Sequence, residues 1–336
     1  MRFRPVRTCL CSWLAAALLT CSATTSTRAA SVPSWLTGVN LSGGELNWPQ
    51  NRLGWNYVYP SATEIKYYSS KGFKLFRIPL LTGRILSGSM STEGGGADWK
   101  ALTTLIAQAA ALNAWVIVDM HQFGTMPSGL VGHDAAATAD FVVAWSEIAK
   151  RLKGTPNVIF GLMNEPNKQT AAEWLSGANA AIAAIRKAGA MQLILVPGSY
   201  WDGAWTWTSS DNGTVMAAIK DPSNNYAVEV HQYLDRYSTG TVPDVVKGNG
   251  KTSLAAFTAW ARAHHVKGFL GEFGFAASAD ALAEGQDILA YLAANKDVWR
   301  GWTYWAGGPW WGNYMFSVEP ANGVDKPQMS LLSKYK

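Results

Sequence analysis

Two stretches of the chain place a glutamate at or just after the end of an apolar run typical of a buried strand. Glu165 follows the run VIFGLM within GLMNEPN, and Glu272 follows GFLG within GEFG. A lone glutamate at such a position is most often a solvated turn residue or a helix cap. Two carboxylates at the same end of one sheet, however, are the minimum equipment for acid/base and nucleophilic chemistry at a glycosidic bond.

Further polar and aromatic side chains interrupt the ends of other apolar runs. We expect the second run to end near Arg77, the third at His121, the fourth at Asn164, the sixth at His231 and Tyr233, and the eighth at Trp305. Each has a structural explanation when taken alone, such as an ion pair for the arginine or a hydrogen-bonded core position for a histidine. Their joint occurrence predicts one site at one edge of the sheet.

The sequence lacks the motifs typical of metal-dependent, serine-dependent and nucleotide-dependent enzymes. There is no HExxH motif, and the only closely spaced histidines are the adjacent His264 and His265. Neither GxSxG nor GxGxxG occurs at a strand-to-helix junction. The sequence therefore predicts no metal centre, no serine nucleophile and no cofactor.

The elements that must position these residues alternate regularly. Eight apolar runs, with helical patterns between most of them, predict strands at 38–41, 75–80, 115–120, 158–163, 193–197, 226–230, 268–273 and 302–305. Asp98 is expected to open one helix, and Thr170 with Glu173 forms a predicted capping box. Eight units in about 300 residues favour an α/β fold, a single-domain (β/α)8 barrel over residues 31–336, whose chemistry lies at the carboxyl ends of the strands.

Tryptophan is unusually abundant, with seventeen in the chain. Many fall in YWDGAWTW and WTYWAGGPWWG, beside Gly, Asp and Pro, where burial is harder than in a regular element. Core packing explains scattered tryptophans best, but flat rings in loops suit the apolar faces of sugars. We therefore predict that Trp201, Trp205 and Trp310 bind substrate.

The N-terminus has the order of a secretory signal. MRFRPVR precedes a short apolar segment and a small-residue zone, which predicts a signal peptide over residues 1–30 and secretion, with a lipid anchor on Cys21 as the alternative. The apolar segment is too short for a membrane span. Removing it takes away all three cysteines and four arginines, so the net charge falls from +5 to +1. We expect no nucleic-acid partner, no membrane association after cleavage, and a monomer.

The ordered set GVN, FRIP, DMHQ, GLMNEPN, VEVHQYLD, GEFG and YWAGGPWWGNYMFSVEP resembles glycoside hydrolase family 5, most closely its endo-β-1,4-glucanase branch. The resemblance covers essentially the whole chain after the signal, and it implies a TIM barrel. It also implies that Glu165 is the general acid/base and Glu272 the nucleophile. Arg77 and Tyr233 would hold the nucleophile ionised and oriented. The remaining implied roles are a partner of the acid/base (His231), a donor to the sugar 2-hydroxyl (Asn164), a hydroxyl contact (His121) and a platform beneath the sugar (Trp305).

These roles predict retaining double displacement on an internal β-1,4-glucan bond. Arg77 and Tyr233 should keep the pKa of Glu272 low, whereas an aromatic cleft should raise that of Glu165. Related barrels cleave mannan, xylan or β-1,3-glucan with the same residues, so a β-mannanase or another β-glycanase stays open. A carbohydrate-binding barrel without catalysis is the remaining alternative, and it is disfavoured because both glutamates are present.

Overall fold

The structure is a computed structural model that describes Met1, residues 32–86 and residues 96–336. The predicted signal peptide and its cysteines lie outside the described residues. None of the helices in the two long described segments combines the length and the apolar character that crossing a bilayer requires.

Eight parallel strands form a closed barrel, as the alternating pattern predicts. They are β1 (Leu36–Leu41), β2 (Leu75–Leu80), β3 (Trp115–Met120), β4 (Val158–Gly161), β5 (Ile194–Pro197), β6 (Tyr226–His231), β7 (Gly268–Glu272) and β8 (Trp299–Gly307). Each strand pairs with its neighbour in sequence, and β1 closes the ring by pairing with β8. The predicted fold class, a single-domain (β/α)8 barrel, is confirmed.

A helix follows every strand of the barrel. The helices that follow the eight strands are α1 (Ala62–Ser70), α2 (Ala97–Ala111), α3 (Ala135–Leu152), α4 (Ala171–Lys187), the single turn α5 (Asn212–Val215), α6 (Asn249–Ala263), α7 (Ala279–Ala294) and α8 (Pro327–Leu332). Shorter helical turns lie at Thr82–Ile85, Tyr200–Asp202 and Met216–Ala218. The predicted capping box of Thr170 and Glu173 is present at α4. Asp98 does not open α2, because Gly96 occupies the N-cap and the Asp98 carboxylate instead accepts a hydrogen bond from the Tyr57 hydroxyl at 2.7 Å.

Two apolar layers hold the barrel together. Inward-facing residues of the strands, among them Leu75, Ile117 and Phe269, form a small cluster inside the ring. A much larger cluster fills the space between the strands and the surrounding helices. Burial of each large side chain contributes about 1.5–3 kcal/mol, so the two layers fix the strands as a rigid frame for the loops at their carboxyl ends.

Candidate active site

Arg77 lies at the centre of the polar cluster inside the carboxyl end of the barrel. It is the third residue of β2 rather than the last, because the strand continues to Leu80. Its side chain is fully buried, and its guanidinium contacts residues from five other positions around the ring. These contacts are Asn40 at 3.0 Å, Asp119 at 3.1 Å, Asn164 at 2.9 Å, Glu229 at 3.1 Å and Glu272 at 2.8 Å.

Glu272 ends β7 and is held by two donors. Arg77 Nη1 donates to its Oε1 at 2.8 Å, and the Tyr233 hydroxyl donates to its Oε2 at 2.8 Å. The expectation of a lowered pKa is wrong in its net direction. Burial raises the pKa of Glu272 above its ordinary value and nearby Glu165 adds to this, although His231 and Arg77 act in the opposite sense.

Glu165 lies four residues beyond β4, in a left-handed backbone conformation with φ 43°. This conformation is uncommon for a residue other than glycine. The Glu165 Oε1 atom lies 2.8 Å from Nδ1 of His231, and 16% of its side chain is exposed to the cleft. Glu165 is therefore accessible to a ligand while it stays anchored to β6.

A single ring nitrogen lies next to both glutamates. His231 Nδ1 is 2.8 Å from Glu165 Oε1 and 3.6 Å from Glu272 Oε2, so these two oxygens are at most about 6.4 Å apart. Burial alone would lower the pKa of His231, but Asp202, Glu272 and the bond to Glu165 outweigh it and raise the pKa well above the ordinary value. This upper limit is compatible with a retaining pair, whose carboxyl groups lie about 5–5.5 Å apart, and is shorter than the roughly 6.5–9.5 Å of an inverting pair.

The other predicted positions surround this pair. Asn164 is buried and accepts a bond from Arg77 Nη2 through its Oδ1. His121, directly after β3, lies 2.8 Å from Asp119 and stacks on Trp305 with 5.8 Å between ring centroids. Burial opposes protonation of His121, but the bond to Asp119 gives a raised pKa overall. Trp305 lies within β8, which continues to Gly307.

Two cavities lie beside the polar cluster, and we refer to them together as the cleft or groove. One of about 580 Å³ is lined by Glu165, His231 and Tyr233 together with Trp201 and Trp205. The other, of about 360 Å³, is lined by His121 and by further residues that include Glu45, Trp48, Phe123 and Met126. Aromatic side chains therefore line the groove on both sides of the polar cluster.

The three loop tryptophans predicted to bind substrate are all exposed, but only two of them line one of these cavities. Trp201 is 56% exposed and Trp205 46% exposed, and both line the larger cavity. Trp310 is exposed but lines neither cavity, so its role in substrate binding stays a prediction. A loop tryptophan can nevertheless be buried. Trp207, in the same loop, is fully buried because it packs against Phe257 and Trp260 of α6.

A tight turn after β5 contacts both the segment that carries Glu165 and the end of β6. Tyr200, Trp201 and Asp202 all have left-handed φ values, of 56°, 55° and 42°. The Trp201 amide donates to the Pro166 carbonyl at 3.0 Å, next to Glu165. The turn thereby directs Trp201 into the groove and buries Asp202 behind Glu165 and His231.

Four buried polar residues of the site were not predicted: Asn40, Asp119, Asp202 and Glu229. Asp119 and Glu229 stand inside the apolar runs WVIVDM and YAVEV, and an acidic residue in a buried strand is a signal that could have identified them. Asp202 carries no such signal, because it belongs to a loop. Burial and the charges of Glu165, Glu229 and Glu272 raise its pKa well above the ordinary value, against the effect of His231.

Comparison with known proteins agrees with this geometry. Residues 38–308 match the family model described as Cellulase (glycosyl hydrolase family 5). The chain is 35% identical over 292 residues to endoglucanase gh5-1 of Neurospora crassa, which covers 85% of this chain and 73% of that protein.

Solved structures give the same family and fold. XacCel5A in complex with cellopentaose superposes with a TM-score of 0.86 at 38% identity, covering 90% of this chain and 99% of that one. Endoglucanase Cel5A of Pseudomonas stutzeri in complex with cellobiose gives a TM-score of 0.80 at 32% identity, covering 89% and 92%.

Proposed function

The chain belongs to the cellulase family, glycosyl hydrolase family 5, and on this premise we propose that it is a retaining endo-β-1,4-glucanase that cleaves internal bonds of cellulose and related soluble glucans. One observation carries the proposal. Glu165 and Glu272 approach the same atom, His231 Nδ1, at 2.8 Å and 3.6 Å, in the middle of an open aromatic groove. Two carboxylates at this spacing suit a nucleophile and an acid on one sugar bond.

In the first step Glu272 is the nucleophile and Glu165 the acid. A Glu272 oxygen attacks the anomeric carbon while the bond from that carbon to the leaving oxygen breaks. Glu165 transfers its proton to the leaving oxygen, so the departing chain leaves as an alcohol. Glu165 is suited to this role because its side chain is partly open to the larger cavity, where the leaving part of the substrate would lie.

In the second step a water molecule replaces the departed chain. Glu165, now a carboxylate, removes a proton from this water molecule. At the same time the water oxygen attacks the anomeric carbon, and the bond from that carbon to Glu272 breaks. His231 holds Glu165 in place through both steps by its 2.8 Å contact. The product keeps the β configuration, because the anomeric carbon is inverted twice.

Arg77 and Tyr233 keep Glu272 reactive. Their two donors fix both carboxylate oxygens and favour the ionised form, which opposes the effect of burial. Asn164 uses its Oδ1 to accept from Arg77, which leaves its amide hydrogens for the 2-hydroxyl of the sugar. These groups are fixed before substrate binds, so little reorganisation is needed in the transition state.

The groove supplies binding on both sides of the cleaved bond. Trp305, stacked beside His121, would lie beneath the sugar under attack, whereas Trp201 and Trp205 would contact the sugars of the leaving chain. An open groove accepts the middle of a long polymer, which suits endo attack. The relatives bound to cellopentaose and cellobiose favour β-1,4-glucan over mannan as the substrate class.

The chain is further proposed to be secreted as a monomer after loss of residues 1–30. The secretion and cleavage are supported by the arginine-rich start, the short apolar segment and the small-residue zone of the sequence. Mass spectrometry of the protein from culture medium would give the cleavage position. A mature chain that begins at Cys21 would instead indicate the lipid-anchored alternative.

A panel of soluble polysaccharides tests the function. We expect the fastest hydrolysis on carboxymethylcellulose and mixed-linkage β-glucan, with viscosity falling before many reducing ends appear, and much slower hydrolysis of mannan, xylan and β-1,3-glucan. Faster cleavage of mannan would make the protein a β-mannanase.

Variants of the same protein test the assigned roles. Glu272→Ala should lose activity by roughly 10⁴-fold or more, because no other group can form the covalent intermediate. Glu147→Ala is the matched control, since Glu147 is a surface residue of α3 paired with Lys150. Near-normal activity of Glu272→Ala would refute the nucleophile assignment, and an α-configured first product in a proton NMR time course would refute retention.

A further inference from the structure

Three potential metal ligands converge behind the wall of the groove. One ligand atom each from Glu165, Asp202 and His231 lies within 4.8 Å of the others. The residues come from three different places in the barrel: the segment after β4, the turn after β5 and the end of β6. Their wide separation in sequence explains why no metal motif announces them.

Asp202 has no hydrogen-bonding partner for its carboxylate among the described residues. The side chain is fully buried, both carboxylate oxygens are unsatisfied, and Oδ1 lies 3.6 Å from His231 Nδ1. A buried polar group without a partner is costly, so it calls for a bound proton, water or cation. Glu229 and Glu272 add negative charge around it, and Arg77 is already engaged with both of these.

We propose that Glu165, Asp202 and His231 form a binding site for one divalent transition-metal ion such as Zn²⁺, and that the bound ion inhibits the enzyme. Imidazole nitrogens and carboxylate oxygens are both zinc ligands, and three protein ligands leave the fourth position of a tetrahedral ion open. The partly exposed side of Glu165 supplies the route of entry from the cleft.

The spacing of the ligand atoms fits such an ion. Ligands about 2.1 Å from a tetrahedral zinc ion are about 3.4 Å from one another. Nδ1 of His231 lies 2.8 Å from Glu165 and 3.6 Å from Asp202, so small side-chain movements suffice. On the other side of the ring, Nε2 faces Glu229 Oε1 at 3.7 Å, and this carboxylate can hold a proton on Nε2 while the metal ion displaces the proton from Nδ1.

Inhibition follows from the identity of one ligand. A Glu165 carboxylate that coordinates a metal ion cannot carry the proton that the leaving oxygen needs. This part of the inference rests on the proposed function, whereas binding of the ion does not. Measuring binding and activity separately therefore distinguishes a failure of one from a failure of the other.

The binding experiment uses the metal-free full chain titrated with ZnCl₂ at neutral pH in a calorimeter. We expect one ion per chain, and binding weakened by about 100-fold or more in Asp202→Asn and in Glu165→Gln, since each variant removes a ligand oxygen. Thermal unfolding without metal shows whether each variant is folded, and either variant suffices if the other is not.

The control variants remove surface histidines. His133 forms an exposed pair with Glu173, and His264 and His265 are adjacent, so these are the natural adventitious zinc ligands. His133→Gln and the double variant His264→Gln/His265→Gln should bind Zn²⁺ at the proposed site as the unaltered chain does. No binding, unchanged binding in both ligand variants, or loss of binding in a surface variant would overturn the proposal.

The activity experiment measures hydrolysis of carboxymethylcellulose over the same range of ZnCl₂. Half inhibition should occur at the dissociation constant found by calorimetry, and EDTA should restore the rate. The residual activity of Asp202→Asn should require about 100-fold more Zn²⁺ for the same fractional inhibition. Binding without inhibition, or inhibition that Asp202→Asn does not relieve, would refute the inhibitory role.

Discussion

Removing the hydroxyl of Tyr233 isolates one of the two donors on Glu272. In Tyr233→Phe the 2.8 Å bond to Glu272 Oε2 is lost, while the ring can keep its stacking on Phe316 and its place beside Gly240. A hydrogen bond to a charged group contributes about 1.5–3 kcal/mol. At about 1.4 kcal/mol for each pKa unit, the pKa of Glu272 should rise by about 1–2 units.

The sign of the effect on activity follows from the ionisation that Glu272 needs. The nucleophile must be a carboxylate, so activity is lost as pH falls through its pKa. A donor to the charged form holds that pKa down, and its removal adds to the elevation that burial already causes. The acid limb of the pH profile should therefore move upward, to less acidic pH.

The assay is the pH dependence of kcat/KM on a soluble cello-oligosaccharide, because this parameter reports the ionisation of the free enzyme. The matched control is Tyr67→Phe, which removes a hydroxyl bonded to the exposed Asp325 on the outside of α1 and should leave the profile unchanged. An acid limb of Tyr233→Phe that stays in place or moves to lower pH would refute the electrostatic reasoning, even if the maximal rate falls.

Three further predictions concern the acid/base, the groove and the scaffold. Glu165→Gln should release a burst of dinitrophenol from a 2,4-dinitrophenyl cellobioside, because that leaving group needs no proton. Its activity on polysaccharide should fall by about 10²–10⁴-fold. Equal losses of activity on both substrates would contradict the role of Glu165 as the acid. Trp201→Ala should raise KM for cellopentaose about 10-fold at an unchanged melting temperature, since Trp201 is 56% exposed and lines the larger cavity. An unchanged KM would remove Trp201 from the binding surface. Glu284→Ala should lower the free energy of unfolding by about 1–2 kcal/mol in a urea titration and leave kcat unchanged. The Glu284 carboxylate accepts hydrogen bonds from the backbone amides of Gly248 and Gly250 at the start of α6, and the variant loses both. A loss of kcat would show a link to the site that these contacts do not provide.

The barrel was predictable because its strands are buried on both faces. Continuous apolar runs therefore mark all eight, and the observed strands differ from the predicted ones only at their ends, as where β4 ends at Gly161 rather than at 163. Polar residues in or after these runs, such as Arg77 and His231, had to lie close together once the ring closed. Local pattern was sufficient for this part of the site.

The remaining features depend on tertiary structure that local pattern does not encode. Asp202 enters the site through three successive left-handed residues, a loop path that composition does not specify. Trp207 resembles Trp205 in sequence context, yet only the packing of α6 buries it. The pKa of Glu272 depends on how far burial outweighs Arg77, and that balance requires the surroundings in three dimensions.

The five contacts of Arg77 make the two halves of the barrel chemically unlike. The half that contains β1–β4 carries the arginine, whereas the half that contains β5–β8 contributes Glu229 and Glu272, two of its buried carboxylates. Two copies of the second half would bring four such carboxylates together with no guanidinium, whereas two copies of the first would keep each Arg77 paired with Asp119 of β3. In a chain split between the halves, the charge inside the ring should therefore disfavour pairing of the second half with itself and favour its pairing with the half that carries Arg77.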